Sequence, residues 1–126
     1  MQGAAAAVRF LRAHAGDYNL DADHFGAWGS SAGGTLASLL GTTCGVTELE
    51  GSELGHADQS SCIQAVVDWF GPTDFLKMDA QLAASGMAPA ADFAHSGANS
   101  PESLLLGRQI TEIPDLVRAA NPERYV

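Results

Sequence analysis

The residues of this sequence best placed to do chemistry lie in one run, Phe25 to Gly41, FGAWGSSAGGTLASLLG. Within it Gly29, Ser30, Ser31, Ala32 and Gly33 match the spacing G-x-S-x-G. The spacing selects Ser31, because a central Ser30 would need glycine at positions 28 and 32, which hold Trp28 and Ala32. The reason for the pattern is steric. A nucleophilic serine on a tight strand-to-helix turn sits in a strained backbone region and exposes its hydroxyl at the tip of the strand. The positions two before and two after it approach closely, and glycine at both avoids a Cβ clash. The helix that starts at the turn directs its N-terminal N–H groups and its positive dipole end at a reacting carbonyl. The expected roles are nucleophile for Ser31, backbone oxyanion donor for Ala32, and turn glycines for Gly29 and Gly33. The chemistry is acyl transfer through an ester on Ser31. The same letters also fit a glycine-rich turn that merely opens a helix.

The elbow reading requires a buried strand before the serine and a helix after it. HFGAW, His24 to Trp28, reads as that strand, and the helix runs from beside the serines to near Gly41. Upstream, Ala4, Val8, Leu11 and Ala15 recur at helical spacing, with Arg9 and Arg12 free to face water and Gly16 as the stop. Cys44 to Ser61 is polar and glycine-rich and reads as a surface loop. CIQAVVDWF, Cys62 to Phe70, is a second strand, broken by GPTDF. A short helix is expected at Asp79 to Ala84. Ser100, Pro101 and Ser103 mark a further helix start, and IPDLVRAANP is a last helix stopped before Pro122. Helices alternating with strands indicate an α/β chain with a parallel sheet.

The stretch AAVRFLRAHAGDYNLDADHFGAWGSSAGGTLASLLG resembles the nucleophile region of α/β-hydrolase fold carboxylesterases. It is most similar to the bacterial esterases and lipases grouped with hormone-sensitive lipase and to the related feruloyl-esterase-like set. VVDWFGPTDF resembles their next strand and turn; SPESLLLG and PDLVRAANP resemble the helical excursion before the strand that bears the catalytic acid. The resemblance covers nearly the whole chain. It implies one incomplete domain over residues 1–126: a partial α/β-hydrolase with a parallel sheet flanked by helices, truncated at both ends relative to the family. It implies a lipolytic-type serine esterase acting on small, short-chain esters, with no cofactor and no metal. Thr35 stands where the family often has a non-catalytic histidine. The family's upstream H-G-G-G loop and its later acid and histidine find no counterpart. Only Ser31, Ala32, Gly29 and Gly33 carry over.

A base within the chain would have to be one of four histidines. His95, with Asp92 three residues away, is the candidate; His56 lies near Asp58 in a loop, His24 at the strand end opposite the elbow, and His14 at the end of the first helix. For each, a structural role is the default. Asp74 is expected at the carboxyl end of a strand, and Trp69 and Phe70 either line an acyl pocket there or pack in the core.

Composition excludes other classes. The chain has 126 residues, 46% of them hydrophobic and 17% charged, as a globular domain does. Six Lys and Arg against fifteen Asp and Glu, a net charge of −9, argue against a nucleic-acid surface. No apolar run reaches the roughly 18 residues of a membrane span. The first sixteen residues read as an amphipathic helix of the mature fold rather than a signal peptide, and the cytoplasm is the default compartment. Cys44 and Cys62 fit no metal spacing and are expected to be free thiols, the alternative being a disulfide in an oxidising compartment if the fold brings them together. Two strands are few for an open sheet, so apolar edges and faces are expected to drive homodimer formation. The alternative to an esterase is an inactive hydrolase fragment, or an interaction module, that retains the elbow.

Overall fold

The computed structural model describes residues 1–87 and 94–126. By packing, Met1–Gly71 and Pro72–Arg124 form two compact units.

In the first unit, helix α1 spans Gln2–Ala13 and the short helix α2 spans Ala15–Tyr18. Gly16 does not stop the chain. The break falls at His14, and Asn19 closes α2 in the left-handed region at φ 54°, which asparagine tolerates. Strand β1 is Gly26–Ser30, helix α3 is Ala32–Thr42, helix α4 is Thr47–Glu50, and strand β2 is Ala65–Trp69. The strands pair in parallel, Gly26 with Ala65 through Ser30 with Trp69. Parallel pairing requires a crossover, and α3 with the loop after it supplies one. Alternation along the strands sorts the side chains. Ala27, Gly29, Val66 and Asp68 lie on the α3 side. There Ala27, Ile63, Met1 and Ala4 pack against the buried cluster Ala5, Val8 and Leu40. The other face carries Trp28, 70% exposed, against Trp69, 52% exposed, with ring centroids 5.1 Å apart.

The free-thiol expectation is corrected: Cys44 and Cys62 form a disulfide, their Cα atoms 4.9 Å apart. Residues 18 positions apart meet because α3 runs back along the sheet and releases Cys44 where the chain turns into β2. Arg9 is a second correction. It is buried, 1% exposed, instead of facing water. Its Nε donates to the Gly55 carbonyl at 3.1 Å, Nη1 to the Glu50 carbonyl at 2.7 Å and Oε2 at 3.2 Å, and Nη2 to the Gly51 carbonyl at 2.8 Å. Arg12 donates to the carbonyls of Ala22, Ser60 and Cys62 and lies 4.8 Å from the centroid of the Phe25 ring. Five planar donors in a fixed fork satisfy carbonyls that an irregular loop leaves unpaired. The segment between the cysteines is therefore held down from inside. Arg9→Met keeps the side-chain bulk but removes all four bonds, leaving the Glu50 and Gly55 carbonyls and one Glu50 carboxylate oxygen without their donor, while the Gly51 carbonyl keeps the Leu54 N–H. It is expected to lower unfolding free energy by about 3 kcal/mol in urea titration.

In the second unit, helix α5 is Met78–Ala84, α6 is Pro101–Leu106 and α7 is Pro114–Ala120. Ser100 caps α6, its Oγ accepting from the Ser103 N–H at 3.1 Å with Pro101 at the first position. Phe75, Ile110 and Val117 form the buried cluster, with Met78, Leu106, Ile113 and Ala120 packed on it.

Candidate active site

Ser31 stands between β1 and α3 with φ 51° and ψ −123°, a left-handed-side conformation that L residues rarely adopt. The backbone around it is pinned. The Ser31 N–H donates to the Trp69 carbonyl at 2.9 Å, and the Ser31 carbonyl accepts from the Thr35 N–H at 3.1 Å. The side chain is exposed, and among the described residues Ser31 makes no side-chain hydrogen bond. Ala32 is the first residue of α3, so its N–H has no acceptor within the helix and lies at the positive dipole end.

The glycines divide differently from the motif. A Cβ on Gly29 would run into the carbonyl carbon and oxygen of Gly33 and come within 2.8 Å of the Gly34 nitrogen, so Gly29 is required by the close approach. A Cβ on Gly33 would meet nothing within 4 Å. The constraint on that side belongs to Gly34, where a Cβ would collide with Asp68 Oδ1 and lie 2.9 Å from Gly71 Cα. What matters at position 33 is its backbone, against which Gly29 packs. Register places Phe70 next to Ser31, just beyond the Ser30–Trp69 pair. Phe70 is also left-handed, φ 49°, and 79% exposed. Neither Trp69 nor Phe70 is core.

The histidines of the first unit make their contacts away from Ser31. His24 precedes β1 and pairs through Nδ1 with Asp21 Oδ2 at 2.9 Å. His14 pairs with Asp17 Oδ2 at 3.0 Å, and His56 packs edge-on to the rings of Phe10 and His14. His95 belongs to the second unit. Its expected partner, Asp92, lies outside the described residues. Among the described residues His95 Nδ1 is 3.2 Å from Oε1 of the buried Glu102, whose Oε2 has no partner among them, and the His95 backbone N–H donates to Asp79 Oδ1 at 2.8 Å. A carboxylate on Nδ1 leaves Nε2 as the free ring nitrogen, the orientation a general base needs. Sequence reasoning missed Glu102 because it sits seven residues away, in α6, while His95 lies in a turn.

Asp74 is a clamp in the second unit. Its Oδ1 accepts from Asn121 Nδ2 at 2.9 Å and from the Leu76 N–H at 3.1 Å, and its Oδ2 faces Lys77 Nζ at 3.0 Å. Burial alone pushes its carboxyl up, but the Lys77 hydrogen bond and charge, with the Leu76 and Asn121 donors, outweigh burial and hold it below the ordinary value. A depressed folded-state pKa stabilises above the unfolded value, near 3.9, and that contribution is lost as pH falls through the folded one. Asp74→Asn is therefore expected to flatten the acid limb of a stability–pH curve below about pH 4 while leaving its slope near neutrality unchanged.

Among the described residues no cluster of three His, Cys, Asp or Glu could hold a metal ion, and no helix is long and apolar enough to cross a membrane. The BD-FAE family model matches residues 1–126. The chain belongs to the BD-FAE family. This is an esterase family of α/β-hydrolase type, in keeping with the parallel sheet, the flanking helices and the strand–turn–helix around Ser31. Two solved structures are similar to this BD-FAE chain. One is a truncated form of a carbohydrate esterase from gut microbiota, 34% identical, with a TM-score of 0.83 over 99% of this chain and 44% of that one. The other is a bifunctional GH43-CE protein of Bacteroides eggerthii, 38% identical, with a TM-score of 0.81 over 98% of this chain and 16% of that one. The chain thus spans less than half the length of these structures. No curated protein matches it.

Proposed function

We propose that this BD-FAE chain supplies the nucleophile and one oxyanion donor of a serine carboxylic-ester hydrolase. Ser31 Oγ attacks the ester carbonyl as its proton passes to a general base. The Ala32 N–H holds the oxyanion, the alcohol leaves, and water then releases the acid from the Ser31 ester. The observation that carries the reading is the left-handed backbone of Ser31 at a strand–helix junction, with its N–H tied to Trp69 and its hydroxyl exposed. Strain of this kind persists where surrounding contacts over-determine it, and it clusters at functional sites. The sequence offers His95 as the base candidate within the chain, and a partner subunit is the other source. The similar structures' description as carbohydrate esterases favours a short acyl group on a sugar hydroxyl as substrate. The disulfide supports an oxidising compartment in place of the cytoplasm.

The test is acid release from acetylated monosaccharides and from nitrophenyl acetate, butyrate and octanoate. The expected order is short chains over long, above the buffer rate; buffer rates throughout overturn the reading. One observation favours the alternative of an interaction module: Trp28, Val67 and Trp69 lie exposed on one sheet face. That reading predicts a homodimer through this face, and a monomer at low concentration in size-exclusion chromatography contradicts it.

A further inference from the structure

Of the four side chains that β1 and β2 turn toward α3, namely Ala27, Gly29, Val66 and Asp68, only Asp68 is charged. Asp68 remains exposed to solvent beside α3, so what marks it is its hydrogen bonding and not its burial. Both oxygens of this carboxylate are engaged. Oδ1 accepts from the Gly71 N–H at 2.7 Å, and Oδ2 accepts from Ser38 Oγ at 2.7 Å. The two donors come from the two elements that hold Ser31. Ser38 lies in α3, the helix that begins immediately after Ser31. Gly71 lies two residues beyond Trp69, whose carbonyl takes the Ser31 N–H. The space is shaped for the contact: a Cβ on Gly34 would strike Asp68 Oδ1, and one on Gly71 would lie 2.6 Å from Asp68 Oδ1 and 2.5 Å from the Thr35 nitrogen.

We propose that Asp68 is a positioning residue for the nucleophile. Its carboxylate ties α3 to the turn after β2, and so fixes the Ser31 hydroxyl and the Ala32 N–H relative to the Trp69 carbonyl. The proposal rests on Ser31 being the nucleophile. Charge-assisted hydrogen bonds are the stronger kind, and small misplacements of reacting groups cost large factors in rate.

The experiment uses the full chain with Asp68→Ala, Asp68→Asn and Ser38→Ala. Two rates are read: phosphonylation of Ser31 by a fluorophosphonate, and hydrogen exchange at the Ser31 amide beside amides of α1. Asp68→Ala is expected to slow phosphonylation about tenfold and to speed Ser31 amide exchange by a similar factor, with α1 exchange unchanged. Asp68→Asn keeps an acceptor for Gly71 and is expected to recover to within about threefold of wild type. Ser38→Ala, which loses one of the two ties, is expected to fall between them. Wild-type phosphonylation and exchange in Asp68→Ala overturn the proposal, as does a uniform rise in exchange that includes α1. If Asp68→Ala does not fold, Ser38→Ala decides, and wild-type rates there overturn it. Failure of the underlying reading looks different: the wild type takes no label, or Ser31→Ala still does.

Discussion

Ser31→Ala is expected to lower kcat/KM for nitrophenyl acetate by about 10³-fold or more, with the melting temperature nearly unchanged. The first half follows from chemistry: without Oγ no acyl-enzyme forms, and the Ala32 N–H alone leaves only residual catalysis. The second follows from the backbone. Alanine and serine meet the same Cβ cost at φ 51°, and the exposed hydroxyl makes no hydrogen bond among the described residues, so nothing structural is removed. Glycine separates the two contributions. Ser31→Gly removes the Cβ as well as the hydroxyl, and is expected to raise stability by about 1 kcal/mol while abolishing turnover. A variant that gains stability as it loses activity is the signature of strain kept for function. If Ser31→Gly instead lowers the melting temperature, the strain reading of the turn is wrong.

Gly29→Ala is expected to be as damaging to activity as any change outside Ser31. Its Cβ would be driven into the Gly33 carbonyl group and the Gly34 nitrogen. These are backbone atoms at the first turn of α3, which cannot swing aside as a long side chain can. The chain must displace either β1 or the start of α3, and either movement shifts Ser31. The expected loss is about 3 kcal/mol in stability and at least about 10²-fold in kcat/KM. Gly33→Ala is the contrast, since its Cβ meets open space, and it is expected to cost no more than about 1 kcal/mol. The motif treats the two glycines as equals; urea titrations and initial rates on both variants separate them. Equal effects would mean that the close approach at Gly29 does not govern the turn.

The elbow was legible in the sequence because its causes are local. Five residues with a short apolar run before them and a helical pattern after them define both the turn and the helix, and α3 begins and ends within a residue or so of where the pattern puts it. The α6 start was legible for the same reason, since Ser100, Pro101 and Ser103 act on one another. Strand limits were less so. Phe25 is apolar, but pairing with β2 begins at Gly26 and runs on through Ser30, two residues past the apolar run. What the sequence hid was long-range. Arg9 occupies the polar stripe of a helical pattern, and nothing in that pattern says that Glu50, Gly51 and Gly55 will bring their carbonyls to it. The disulfide depends on where α3 ends relative to the start of β2, a matter of topology and not of spacing. Asp68 reads as an ordinary interruption in VVDWF until Ser38 and Gly71 are seen at its two oxygens.

The measurement that tests the central claim most directly is peptide mapping after fluorophosphonate treatment of the native chain. The peptide carries Ser30 and Ser31 side by side, so fragmentation must assign the adduct between neighbours. One adduct on Ser31, absent from heat-denatured protein and from Ser31→Ala, is the predicted result. An adduct on Ser30, or labelling that survives denaturation or loss of Ser31, would contradict the assignment of Ser31 as the nucleophile.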